Sequence, residues 1–187
     1  MALLIFAVLS LLVAGELQAG VVVGGTRFIF PADKESIAIL LTNTSQESWL
    51  INSKINRPTR WAGGEVSTVP APLLAAPPLI LLKPGTTGTL RLLRTESDIL
   101  PVDRETLFEL SIASVPSGKV ENQSVKVAMR SVFKLFWRPE GLPGDPLEAY
   151  QQLRWTRNSQ GVQLTNPTPY YINLIQVSVN GKALSNA

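Results

Sequence analysis

Chemistry in this 187-residue chain has to be sought among carboxylates, amines and hydroxyls, because it contains neither histidine nor cysteine. Those absences remove Ser-His-Asp and Cys-His nucleophiles, zinc sites built on His or Cys, and disulfides. Gly24-Gly25 and Gly63-Gly64 lack the glycine spacing of a phosphate-binding loop. Asp103 and Glu105 alternate as a carboxylate pair could, and Ser-Lys chemistry stays formally open, but nothing marks a cleft for either. The residue types therefore point away from an enzyme, and no cofactor or metal is expected.

Two further sets of residues stand out. Val125, Val127 and Met129 alternate with Lys126, Ala128 and Arg130, so three apolar side chains share one face of a strand. The commoner fate of such a trio is the protein's own core. Read from the bare residues, Arg27 is an ordinary edge-strand charge and Lys134 a snorkelling side chain. Lys134 has the opposite parity to the trio, and a bulge would be needed to bring them to one face.

The elements that must position these residues read as β throughout. Apolar or alternating runs at residues 20–30, 36–41, 49–55, 87–93, 107–115 and 124–137 are separated by Asn, Gly, Pro, Ser and Asp clusters. The longest strand is expected at 124–137. Fourteen prolines oppose helices. The spacing predicts an all-β, immunoglobulin-like β-sandwich over residues 20–138. An apolar share of 45% allows a sizeable core, and a charged share of 17% argues against disorder.

Three prolines within residues 138–146 predict a stiff linker at 139–146. Beyond it, runs at 153–156, 162–165 and 170–179 and an Asn180-Gly181 hairpin turn make residues 147–187 a partial second β domain. Two domains are expected, the second truncated or completed by a partner. Residues 1–19 read as a signal peptide cleaved near Ala19, although no basic residue precedes Arg27. Without them the chain carries 17 basic and 13 acidic residues, a net of +4 that suits an acidic or carboxylate-bearing partner. No clustered basic stripe suggests nucleic acid.

Six ordered motifs carry a resemblance. They are Thr26-Arg27-Phe28-Ile29-Phe30, Ala76-Pro77-Pro78 with Leu82-Lys83-Pro84-Gly85, and Thr89-Leu90-Arg91-Leu92-Leu93-Arg94. Then follow Asp103-Arg104-Glu105-Thr106-Leu107-Phe108, Phe133-Lys134-Leu135-Phe136-Trp137-Arg138-Pro139 and Asn166-Pro167-Thr168-Pro169-Tyr170-Tyr171. In this order they resemble the periplasmic pilus-assembly chaperones of the chaperone–usher pathway. The short segment 116–124 resembles that family's short-loop branch.

The resemblance implies a chaperone that stabilises fimbrial (pilin) subunits by donor-strand complementation and passes them to an outer-membrane usher. It implies that Arg27 and Lys134 anchor the subunit's terminal carboxylate, and that Val125, Val127 and Met129 form the donor strand. Glu105 and Arg138 match two members of an interdomain network whose third, an Asp, has no counterpart here. Leu81 departs from the family, standing where many relatives place an Arg. The periplasm is the implied location, with no stable membrane insertion after signal cleavage, and a self-capping dimer is a further implied state. The competing readings are a fimbrial subunit, which would commonly bring a cysteine pair, and a generic immunoglobulin-like surface module indifferent to Arg27.

Overall fold

The computed structural model describes residues 20–59, 71–95, 100–118, 126–159, 161–179 and 181–183. Nine strands form two packed sheets: β1 Val21–Val23, β2 Arg27–Pro31, β3 Ser36–Asn43, β4 Trp49–Asn56, β5 Leu73–Ala76, β6 Leu79–Leu82, β7 Thr87–Arg94, β8 Thr106–Pro116 and β9 Met129–Arg138. One sheet has the order β1-β3-β7-β5, the other β2-β9-β8-β4-β6.

Period-two patterning explains the sandwich. Ile39, Leu41, Leu90 and Leu92 from the four-stranded sheet meet Ile51, Phe108, Leu110, Ile112 and Leu135 from the five-stranded one, all essentially buried. Phe30 of β2 stacks on Trp137 of β9 at 5.4 Å between ring centroids. The Lys83-Pro84-Gly85 turn between β6 and β7 places Gly85 at a positive φ of 66°, a conformation glycine adopts without a Cβ clash.

The second unit carries two hairpins, β10 Arg154–Asn158 with β11 Gly161–Thr165 and β12 Ser178–Val179 with β13 Lys182–Ala183. A single 3₁₀ turn, Ala149–Gln152, precedes them. No helix among the described residues is long and apolar enough to cross a membrane. The expected signal segment, 1–19, lies outside the described residues.

Two expectations about strands need correction. The strand expected over 124–137 begins only at Met129, which makes β8 the longest, at 11 residues. The β8–β9 ladder ends at Ser114↔Met129. Two residues on, Pro116 has no N–H to give, and Ser117 donates its N–H to Ser48 instead, 2.9 Å away. The run expected at 170–179 is mostly irregular, with only Ser178–Val179 paired. Its opening residues bond to the first domain and to their own turn rather than to a strand.

Candidate functional site

The site arises where the first strand changes sheets. β1 pairs with β3 in one sheet, and Gly24-Gly25 then carries the chain across to β2, parallel to β9 in the other. The Gly24 N–H holds the crossing to Leu40 O at 3.0 Å. Because β2 starts only at Arg27, it covers β9 along Lys134–Arg138 and no further. The same edge of β9 from Met129 to Phe133 has no strand beside it among the described residues. A half-open edge of this kind is a template for another strand.

Arg27 and Lys134 meet where that open edge ends. They are direct register partners, so both point to the outward face of the five-stranded sheet from strands about 5 Å apart. Arg27 is exposed and Lys134 half-buried. Facing like charges on neighbouring strands is unfavourable unless something anionic balances them. Glu109 of β8 continues the row on the far side of Lys134, buried, with Oε1 accepting the Thr59 N–H at 2.7 Å. Lys134 Nζ also donates to the side-chain oxygen of Asn173, which reaches over from the second unit.

The apolar trio is placed in part. Val125 lies outside the described residues. Met129 opens β9, and Val127 precedes it in an irregular segment. Both are far more exposed than core side chains, Val127 at 61% and Met129 at 53%. The β8–β9 register runs without a bulge from Met129 to Trp137. Met129 therefore shares its face with Phe133, Leu135 and Trp137, while Lys134 points the opposite way. No bulge reconciles them, and none is required: the cations face outward, while Met129 continues the core face past the point where the core ends.

Glu105 and Arg138 do come together. Arg138 Nε donates to Glu105 Oε1 at 2.7 Å, and Glu105 is only 4% exposed. Its other oxygen accepts the Tyr171 N–H at 2.7 Å, and its own N–H donates to Pro169 O at 2.9 Å. The Arg138 guanidinium lies over the Tyr170 ring, 5.4 Å from its centroid. Tyr170 in turn donates its hydroxyl toward Leu142 O and Gly144 O in the expected linker, at 3.2 and 3.1 Å. A backbone amide of the second unit is thus the third member of this bridge among the described residues. Asp103, the neighbouring acid, is exposed and paired with Arg104 at 2.8 Å, which holds its carboxyl below the usual range.

Sequence reasoning gave no role to Tyr170, Tyr171 or Asn173. Asn166 holds this segment in shape, donating Nδ2 to Tyr170 O at 2.7 Å and accepting the Thr168 N–H at 3.0 Å. The Asn-Pro-Thr-Pro composition was the available signal, since Asn and Thr side chains close such turns. Tyr171 packs on Phe136 at 5.4 Å between centroids. This cover explains why Phe136 is buried on the outward face of its sheet.

Comparison with known proteins places the chain in a family. Residues 20–143 match the family model for the pili and flagellar-assembly chaperone PapD N-terminal domain, and residues 148–187 that for the pili assembly chaperone PapD C-terminal domain. The whole chain is 98% identical to 79% of the fimbrial chaperone YcbF of Escherichia coli K12. It is 32% identical to the chaperone protein FimC of the same strain, over 96% of this chain and 73% of FimC. A chain in the solved structure of the Salmonella enterica SafA pilin in complex with the SafB chaperone superposes with a TM-score of 0.76 at 31% identity, covering 93% of this chain and 80% of that one. A sandwich with one strand switched between sheets, a second β unit bonded to its rim and these matches lead to one assignment: the chain belongs to the family of pilus-assembly, or fimbrial, chaperones.

Proposed function

We propose that the chain acts in the periplasm by lending β9 to an unfinished fimbrial subunit. One observation carries the reading: the open half of the β9 edge stops at a pair of facing cations. A subunit strand that fills the edge beside Met129–Phe133 runs into the start of β2 and has to end there. Its terminal carboxylate then lies at Arg27 and Lys134, where two converging cations make short, charge-assisted hydrogen bonds. A strand ending at that point runs parallel to β9.

Backbone bonds along the edge supply affinity, and Val125, Val127 and Met129 fill the gap in the subunit's core. Burying three such side chains contributes about 5 kcal/mol before ordering costs. Glu105 and Arg138 set the angle between the two units. Delivery to an outer-membrane usher belongs to the same proposal. Its support is that Leu79 and Leu81 stand exposed on edge strand β6, at the opposite end of the sheet from β2. Without a subunit, the same open edge suits pairing with a second copy.

The test is co-expression in a periplasm with a fimbrial subunit, followed by co-purification. The intact chain should retain the subunit, while a chain carrying both Arg27→Ala and Lys134→Ala should not. Equal recovery by the two would sink the proposal.

A further inference from the structure

The outward face of the five-stranded sheet carries a cation that the anchor does not use. Arg130 lies on β9 four residues before Lys134, on the same face, about 13 Å from it along the strand. It is exposed, and its register partner on β8 is Ala113. Among the described residues it forms no hydrogen bond or ion pair. Its same-face neighbours on β8, Ser111 and Val115, are uncharged, and Lys54 on β4 adds a further exposed cation. The single acid among the strand residues of this face is Glu109, which lies beside Lys134 and is engaged by Thr59.

Arg130 also lies on the open half of the β9 edge. A strand that docks there removes water from one side of its guanidinium, and no acid among the strand residues of this face lies nearer than Glu109 to compensate it. Desolvating a cation is unfavourable unless the incoming chain brings an acceptor. From this we infer that Arg130 is a specificity-determining residue. It selects subunits whose C-terminal strand carries an acidic side chain at the fourth or fifth position from its end. The inference rests on the carboxylate-anchor reading, which fixes where the strand ends and so which of its residues lies beside Arg130. It concerns choice among subunits, since pairing across strands discriminates by charge even where it adds little to total affinity.

Synthetic 12-residue peptides of alternating apolar pattern serve as probes. They carry Glu, Gln or Lys at the fourth or fifth position from the end, with either a free or an amidated C-terminus. Binding to the full chain is followed by fluorescence anisotropy for the unmodified protein and for Arg130→Gln and Arg130→Glu. At one of the two positions the Glu peptide should bind the unmodified chain about 5-fold more tightly than the Lys peptide. That preference should vanish in Arg130→Gln and reverse in Arg130→Glu. Carboxylate-dependent binding with a charge preference that ignores both substitutions overturns the role of Arg130 and leaves the anchor standing. Equal binding of free and amidated peptides overturns the anchor reading instead. No binding by any peptide counts against both.

Discussion

Glu105 accepts the backbone N–H of Tyr171 with one carboxylate oxygen while Arg138 holds the other, both at 2.7 Å. One buried acid thus ties the rim of the sandwich to the second unit. Replacing Glu105 with Ala leaves Arg138 without its partner and the Tyr171 amide without an acceptor. Loss of one member of a buried pair costs about 3 kcal/mol, less where the survivor can reach water, as Arg138 can in part. Glu105→Ala should therefore lower stability by about 2 kcal/mol and expose the Tyr171 amide to hydrogen exchange. Glu105→Gln should weaken the Arg138 contact yet keep most of that protection. An amide that exchanges equally in all three proteins would show that Glu105 does not hold the second unit.

Asn173 gives the Lys134 ammonium a neutral acceptor. Asn173→Asp would turn that acceptor into a resident anion competing with a subunit's carboxylate. It should weaken subunit capture about tenfold, equivalent to about 1.4 kcal/mol, with thermal stability unchanged or slightly raised. Asn173→Ser, which keeps a neutral oxygen, should stay near the original affinity. Capture undiminished by the Asp substitution, in parallel pull-downs, would remove Lys134 from the anchor.

Much of the fold was legible because one face of each strand is buried, and burial enforces period two. The runs that became β3, β4, β7 and β8 could be read directly, with core residues such as Ile39, Ile51 and Leu110 at alternate positions. β5 and β6 were not legible. They flank Pro77-Pro78, and prolines conceal short edge strands that tolerate them. Partnering decides where a strand begins, and no local pattern in residues 124–128 reveals that the ladder stops at Met129. The pairing of Arg27 with Lys134, 107 residues apart in the chain, depends on β2 changing sheets. Only the family resemblance, not any local rule, brought the two together. Asn173 and the Tyr171 amide escaped for a related reason: a backbone donor and a neutral amide leave no charge signal in a sequence.

Exposure separates residues available for a partner from residues that hold the sandwich. Met129 and Val127 are more than half exposed, whereas Leu135, on the same strand face, is fully buried. Leu135→Ala should cost 2–5 kcal/mol in denaturant melts, as buried leucines do. Met129→Asp and Val127→Asp should shift those melts by less than about 0.5 kcal/mol, in line with exposed positions. The same two substitutions should abolish co-purification of a fimbrial subunit, because a carboxylate would enter the subunit's core. If they leave recovery intact, the subunit does not use this face of β9.

Arg27 offers the sharpest division between stability and function. It is exposed, and it faces Lys134 across a parallel ladder. This like-charge contact opposes folding by at most a few tenths of a kcal/mol, because Glu109 is the register partner of Lys134 on its other side, and salt screens what remains. Arg27→Gln keeps most of the length of the side chain and removes the charge. It should leave the thermal midpoint unchanged or raise it slightly at low salt, with the difference fading as salt is added. Binding should move the other way. Losing a charge-assisted bond to a carboxylate costs about 1.5–3 kcal/mol, a loss of roughly 10- to 100-fold in affinity for a peptide with a free C-terminus. For an amidated peptide the substitution should change almost nothing. A residue kept for folding alone would give the reverse pattern, a lower midpoint with binding intact, so calorimetry and peptide titration on one variant decide the role of Arg27.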